Sequence, residues 1–187
     1  ISTGRSSRGI LVRGIEKESS AGAELERYLQ GHQKLDSLFE PAAVSLVNTQ
    51  GQRDQAELPT IIIGRELSRK LALFVGDTVS LLSPQVSSSP FGLVPRYKRF
   101  VVADSYKSGM AGYEEALVYM SLKSAQKFFR MGDSVSALEV LVSDIDAAPQ
   151  IAQQIRIHLN GQFGAGFIAE DWTERNKELW EAIALEK

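Results

Sequence analysis

Alternating apolar and polar residues predict β-strands through most of the first two thirds of the chain. The predicted strands are 9–15, 44–47, 59–63, 77–82, 99–106 and 115–120, with further strand-like stretches at 136–142 and 167–169. Apolar residues at helical spacing predict short helices or turns within 16–40 and longer helices over 64–73, 121–131, 146–160 and 171–187. The polar residues 49–57 are expected to be mobile. Strand, helix and strand at each end with a strand-rich middle predict an α+β fold.

The connection between the predicted strands 77–82 and 99–106 is unusually long for a hairpin. It contains three prolines, four serines and one glycine, and it carries the apolar residues Phe91, Leu93 and Val94. Proline disfavours a helix or a central strand, and it lowers the entropy that a loop loses on binding. We therefore expect an arm that protrudes and binds a partner. The alternative is a loop folded back, with Phe91 covering the domain's own core.

Basic residues surround an aromatic residue at the end of this arm. Arg96, Lys98 and Arg99 lie within four residues around Tyr97. A basic and aromatic base beneath an apolar tip fits a hydrophobic partner surface that has an acidic rim. The pattern indicates a class of partner and does not name one.

Composition excludes several classes of protein. The 187 residues are 43% hydrophobic and 24% charged, which is typical of a globular domain. The net charge of -2 argues against a nucleic-acid binder, and the absence of cysteine excludes disulfides and thiolate metal sites. No apolar run approaches the roughly 18 residues of a membrane span. Any signal peptide or membrane segment of the parent protein is expected outside this sequence.

Catalytic and metal-binding patterns are weak. His32 and His158 have no neighbouring ligands at metal-binding spacing, so neither a metal site nor a cofactor is predicted. Ser124 and Lys127 match the Ser-x-x-Lys pattern of penicillin-binding enzymes, but the companion motifs are absent. A serine at a helix start is more often a cap.

The adjacent acidic residues and the closely spaced glycines do not indicate acid–base catalysis or phosphate binding either. Glu114-Glu115 and Glu170-Asp171 are adjacent pairs, and adjacent residues on a strand point to opposite faces. Neither pair has a neighbouring residue that would separate the pKa values of its two carboxyl groups, as acid–base catalysis requires. The glycines at 161, 164 and 166 lack the spacing of a phosphate-binding loop. We therefore predict that the domain is not an enzyme and that any ATP-driven work is powered elsewhere.

Five motifs follow one another along the chain. They are Ile63-Gly-Arg-Glu-Leu-x-Arg-Lys-Leu, Val75-Gly-Asp-Thr-Val, Pro90-Phe-Gly-Leu-Val-Pro-Arg, Ser108-Gly-Met with Tyr119, and Asp171-Trp-x-x-x-Asn-x-x-Leu-x-x-Ala-x-x-Leu-Glu-Lys. As a set running from about Gly9 to Lys187, they resemble the periplasmic domain of lipoprotein-releasing ABC permeases, the LolC/LolE family. The Pro-x-Gly-x-x-Pro pattern over 90–95 is similar to the LolC type, or to a single permease that combines both roles.

The resemblance implies a MacB-like periplasmic fold with two subdomains. A βαβ-type Porter subdomain would comprise 1–75, with its N-terminal portion missing, and 133–187. An inserted β-rich Sabre subdomain would comprise 76–132 and would carry a protruding Hook loop over 84–95. The domain would lie at the periplasmic face of the bacterial inner membrane, as part of a multi-pass membrane protein.

The resemblance also implies the function and the partners. A LolC-type permease would work with a second permease and a separate LolD-like ATPase, extract lipoproteins from the membrane and pass them to a LolA-like chaperone. The Hook and a small Pad at its base would recruit this chaperone. The implied contact residues are Pro84, Pro90, Phe91, Gly92, Leu93, Val94 and Pro95 in the Hook, and Ser80, Tyr97 and Lys98 in the Pad, with Arg96 beside them.

Two other functions remain open from the sequence. The same fold occurs in MacB-like efflux permeases and FtsX-like mechanotransmission permeases, which would dock on an adaptor protein. A different class is a hydrolase that uses Ser124 and Lys127.

Overall fold

The computed structural model describes residues 1–4, 6–29, 34–47, 53–89 and 92–175. The strands are β1 (Leu11–Ile15), β2 (Ala42–Val47), β3 (Arg53–Leu58), β4 (Thr60–Gly64), β5 (Thr78–Ser89), β6 (Gly92–Tyr106) and β7 (Leu117–Ser121). The α-helices are α1 (Ser20–Tyr28), α2 (Arg65–Leu71), α3 (Ala111–Ala116), α4 (Leu122–Phe129), α5 (Ala148–Phe163) and α6 (Trp172–Arg175), and Leu35–Leu38 forms a 3₁₀ helix. These residues form two compact units, 1–135 and 136–187.

A mixed sheet organises the first unit. Its strand order is β1-β7-β4-β6-β5. The β1–β7 and β4–β6 pairs are parallel, whereas the β4–β7 and β5–β6 pairs are antiparallel. A separate antiparallel hairpin consists of β2 and β3. Mixed strand directions with helices around them confirm the predicted α+β class.

Both faces of the central strand β4 are buried, which explains its uninterrupted run of three isoleucines. On one face, Ile61 and Ile63 belong to a core that includes apolar residues of α2 and α4. On the other face, Ile62 belongs to a core with α1 and the 3₁₀ helix. The residues from these covering helices are Leu67, Leu71, Ala125 and Phe128 on the first face, and Leu25, Leu35 and Leu38 on the second.

Local signals account for the ends of the covering helices. The Ser19 side chain accepts the Gly22 N–H at 3.1 Å and caps α1, and Ser121 accepts the Ser124 N–H at 3.3 Å and caps α4. The chain leaves α2 through Ala72, which has a left-handed conformation with φ of 49°. The predicted helices over 64–73 and 121–131 are therefore confirmed, and each ends two residues before its predicted end.

In the first unit and at its border, one predicted strand begins later than expected and two predicted segments are wrong. The strand predicted over 115–120 begins only at Leu117, because α3 occupies the preceding residues. The polar stretch 49–57, predicted to be mobile, includes most of β3, which pairs with β2 along its whole length. The alternating residues 136–142 form no strand, since no described segment pairs with them, and Leu138 and Leu141 are exposed.

The second unit is mainly the helix α5. It continues past the predicted end at Asn160 and Gly161, and it stops at Gly164, which has φ of +86°. The short strand predicted over 167–169 is absent from the described residues. Asp171 accepts the N–H groups of Thr173 and Glu174 at 2.6 and 2.9 Å and thereby caps α6. No helix in the described ranges combines the length and apolar character that a membrane span requires.

Candidate partner-binding ribbon

The strands β5 and β6 continue beyond the rest of the sheet as a two-stranded ribbon. Pairing of β6 with β4 begins at Val101, whereas pairing of β6 with β5 extends to Ser89 opposite Gly92. We call residues 80–89 and 92–99 the ribbon. The long irregular loop predicted between two strands is therefore wrong as secondary structure, because the two strands themselves extend through it.

The prolines of this segment lie where a strand tolerates them. Pro84 falls in the register shift between Ser83 and Val86, and Pro95 lies opposite Val86. Proline cannot donate to a ladder, but it is compatible with strand edges and irregular pairings. Among the described strands, β5 and β6 pair only with each other in the part of the ribbon that contains Pro84 and Pro95. Each of these two strands therefore has one unpaired edge there, and neither proline interrupts a strand that is paired on both sides.

The far end of the ribbon contains most of the predicted Hook residues. Gly92, Leu93 and Val94 pair with Ser89, Ser88 and Ser87, as a continuous antiparallel ladder. The sequence places Pro90 and Phe91 between the paired ends, and these two residues lie outside the described ranges. Their contacts with a partner stay predictions.

One face of the ribbon base is open and partly apolar. Tyr97 lies directly opposite Leu82, and Arg99 lies directly opposite Ser80. Directly opposite residues share a face, so these four side chains form what we call the outer face. The Tyr97 and Leu82 side chains are 71% and 53% exposed. An exposed cross-strand aromatic and aliphatic pair is available for contact with another protein.

The other face of the ribbon base turns toward α4. The Lys98 Nζ lies 5.7 Å from the ring centroid of the buried Phe100. Arg96 Nη1 donates a hydrogen bond to the carbonyl oxygen of Phe128 in α4 at 3.5 Å. Burial, followed by the positive charge of Lys127, lowers the pKa of Lys98. The predicted Pad residues are therefore divided, with Ser80 and Tyr97 on the outer face and Lys98 on the face toward α4.

The start of the chain holds the base of the ribbon. Ser2 and Ser80 exchange two backbone hydrogen bonds, at 2.8 and 3.0 Å. These bonds satisfy the outer edge of β5 at the point where the ribbon leaves the sheet. The sequence carried no signal for this contact, because residues 2–9 are small or polar and show no alternation.

The acidic pair on α3 has a structural role. Glu114 is buried and accepts the Gly109 N–H at 2.8 Å, which orders the turn before α3. Glu115 accepts hydrogen bonds from Lys70 at 2.5 Å and Arg8 at 3.2 Å, and the Lys70 bond is the main cause of its lowered pKa. Both residues lie on a helix, whereas Glu115 was predicted to begin a strand, so their side chains do not alternate across a sheet.

The other candidate catalytic and metal-binding residues are not grouped into a site among the described residues. Ser124 lies in the first turn of α4, where its hydroxyl accepts a hydrogen bond from Ser121 at 2.9 Å. His158 is exposed on α5, while His32 is outside the described residues. In the part of the chain that the structure describes, no three His, Asp or Glu side chains are grouped to hold a metal.

Comparisons with known proteins identify the family. No protein-family model matches the chain. It is 32% identical over 127 residues to the "Lipoprotein-releasing system transmembrane protein LolC" of Xylella fastidiosa strain Temecula1, and 30% identical over 127 residues to the protein of that name from Neisseria meningitidis serogroup B. It is 28% identical over 136 residues to the LolC protein of Haemophilus influenzae.

Each match covers 68% of this chain and 30% of the relative, so the chain spans less than a third of the length of these proteins. These relatives show that the chain belongs to the lipoprotein-releasing ABC permeases, and the mixed α+β fold agrees with that family. Within that family it is a LolC-like domain, and the resemblance drawn from the five motifs is confirmed.

Proposed function

We propose that the ribbon recruits a LolA-like periplasmic chaperone to an inner-membrane ABC permease, which hands released lipoproteins to it. The observation that carries this proposal is the continued pairing of β5 and β6, up to Ser89 and Gly92, beyond the last contact of β6 with β4. A paired ribbon presents its end at a fixed position and loses little backbone entropy when a partner binds.

The ribbon offers two kinds of contact to such a chaperone. The sequence places Phe91 between the paired ends, and insertion of this side chain into a lipid-binding mouth would bury apolar surface. Full burial of a phenylalanine contributes about 1.5 to 3 kcal/mol, which is roughly a tenfold to hundredfold gain in affinity. The exposed Leu82 and Tyr97 at the base would add a second apolar contact and limit the orientation of the partner.

The remaining assignments belong to the same proposal. The domain would face the periplasm and would carry out no chemistry itself. A separate LolD-like cytoplasmic subunit would hydrolyse ATP, and a second permease would complete the transporter. The lipoprotein substrate is proposed from the names of the relatives, which describe a lipoprotein-releasing system.

The test is capture of a purified LolA-like chaperone by the immobilised domain. Phe91→Asp is expected to abolish capture because a carboxylate would have to enter an apolar site. Phe74→Asp is the matched control, since Phe74 is 74% exposed and precedes the start of β5, at the opposite end of that strand from Ser89. Unchanged capture by a folded Phe91→Asp domain would refute the proposal, as would specific capture of an efflux adaptor and not the chaperone.

A further inference from the structure

The helix α4 carries a row of basic side chains next to the ribbon. Lys123, Lys127 and Arg130 are separated by four and three positions, so they follow one side of the helix and its C-terminal cap. Together with Gln126, Gly132 and Asp133, they line an open concave surface of about 470 Å³. This surface belongs to the first unit, as the ribbon does.

Basic residues of β6 adjoin this row. The Arg96 guanidinium reaches the carbonyl oxygen of Phe128 in α4, and Lys98 is close enough to Lys127 for the two charges to repel. We call Lys98, Lys123, Lys127 and Arg130 the basic surface. Across the described ranges, none of these four cations has a carboxylate oxygen within 4.0 Å.

This concentration of positive charge does not follow from composition. The chain has 21 basic and 23 acidic residues, and its other surface lysines include Lys17 and Lys70, which form ion pairs with Asp36 and Glu115. Among the described residues of this lining, Asp133 is the one acidic residue, and it forms no ion pair within 4.0 Å with the basic surface. Neighbouring cations that form no ion pairs repel one another, and anionic groups from outside relieve that repulsion. The basic surface is therefore suited to an anionic partner.

We propose that the basic surface binds a carboxylate-rich edge of the same protein that docks on the ribbon. This inference rests on the proposed function, and it adds α4 to the docking area. A protein edge fits better than a membrane, because Lys123, Lys127 and Arg130 line an open recess and Lys98, on the neighbouring strand, is half-buried. Protruding carboxylates can enter a recess that the headgroups of a flat bilayer would contact only at its rim.

The test compares two double variants with the same change in charge. Lys123→Glu with Lys127→Glu reverses the centre of the basic surface. Lys34→Glu with Lys107→Glu reverses two exposed lysines elsewhere in the first unit. Affinity and association rate for the purified LolA-like chaperone are measured at low and high ionic strength. We expect the α4 variant to lose about tenfold or more in affinity at low salt, mostly through slower association, and the control variant to lose much less.

The outcomes separate this inference from the proposed function. If both double variants bind alike while Phe91→Asp abolishes binding, the basic surface is not part of the docking area and the ribbon proposal stands. If Phe91→Asp also binds normally, the ribbon proposal itself fails. Each variant is also tested with phosphatidylglycerol vesicles. Loss of vesicle binding by the α4 variant, with unchanged chaperone binding, would show a membrane-binding surface and would overturn the inference.

Discussion

Gly64 lies against the backbone of Glu114, so close that a β-carbon at position 64 would stand 2.0 Å from the Glu114 carbonyl oxygen. This contact joins the end of β4 to α3, and it leaves no room for any side chain at position 64. Glu114 in turn accepts the Gly109 N–H. The Gly64 and Ser108-Gly-Met motifs of the sequence therefore meet in one packed corner of the domain.

Gly64→Ala is expected to destabilise the domain strongly. The new methyl group meets backbone atoms, which cannot rotate away, so α3 must shift and the predicted loss in the free energy of unfolding is at least about 2 kcal/mol. Gly112→Ala is the matched control, because Gly112 lies in α3 and a methyl group there would point into open space. That change should be neutral or stabilise by up to about 1 kcal/mol. Equal urea-denaturation midpoints for the two variants would contradict this packing.

The buried Tyr106 hydroxyl ties β6 to the start of β7. It donates toward the carbonyl oxygens of Tyr113 at 3.0 Å and Leu117 at 3.1 Å. Tyr106→Phe is expected to lower the free energy of unfolding by about 1 kcal/mol, since the ring is retained and only the hydrogen bond is lost. Tyr97→Phe, at an exposed position, should have little effect. Thermal denaturation of both variants measures the difference.

The same hydroxyl predicts alkaline sensitivity. Burial, with a further contribution from Tyr119, raises the pKa of Tyr106 well above its ordinary value. The folded state then retains a proton that the unfolded state releases, so this contribution to stability is complete below about pH 10 and falls as the pH rises further. In a pH series, wild type and Tyr97→Phe should lose stability above about pH 10 more steeply than Tyr106→Phe. Parallel curves would argue against a buried neutral Tyr106.

The ion pairs of Glu115 predict that the stability of the domain falls at acid pH. The hydrogen bond from Lys70 lowers its pKa, with support from Arg8, so its contribution is present above the ordinary glutamate pKa and is lost as the pH falls through the lowered value. Glu115→Gln should therefore show a smaller decrease in stability between about pH 7 and pH 3 than wild type. Glu24→Gln, at an exposed position of α1, is the control and should follow the wild-type curve.

The outer face of the ribbon gives a prediction about binding. Replacing both Leu82 and Tyr97 by serine should weaken binding of the LolA-like chaperone by about tenfold, with little change in thermal stability because both side chains are exposed. Tyr113→Ser changes another exposed tyrosine, on α3, and should leave binding unaltered. Isothermal titration measures both affinities. Full affinity in the double variant would restrict the docking area to other parts of the ribbon.

Sequence patterns predicted the elements that bury apolar residues. The isoleucines of β4, the paired Leu67 and Leu71 of α2, and the Ser121 cap of α4 each follow from one local rule. The pairing of the strands was harder to predict from the sequence. The sequence did not predict that β5 and β6 continue through this segment, because it contains Pro84 and Pro95. Prolines argue against a strand unless they lie at a sheet edge or at a register shift, which the sequence alone does not reveal.

The candidate site was also only partly predictable. Adjacent residues of a strand lie on opposite faces, so once β6 is known Tyr97 and Lys98 must separate. The motif resemblance grouped them because it had no strand assignment for this segment. The basic surface was missed for a different reason: Lys98 and Lys127 are distant in sequence, and only the packing of α4 on β6 brings them together.

Photocrosslinking from the end of the ribbon tests the central claim most directly. The chain contains no cysteine, so Phe91→Cys and Phe74→Cys each introduce one attachment point for a thiol-reactive photocrosslinker. The whole of β5 lies between the two positions in the sequence, and at about 3.3 Å per residue this strand spans roughly 35 to 40 Å. If the chaperone docks on the end of the ribbon, position 91 gives a chaperone adduct and position 74 gives none. Equal adducts from both positions, or an adduct from position 74 alone, would contradict docking at the ribbon end.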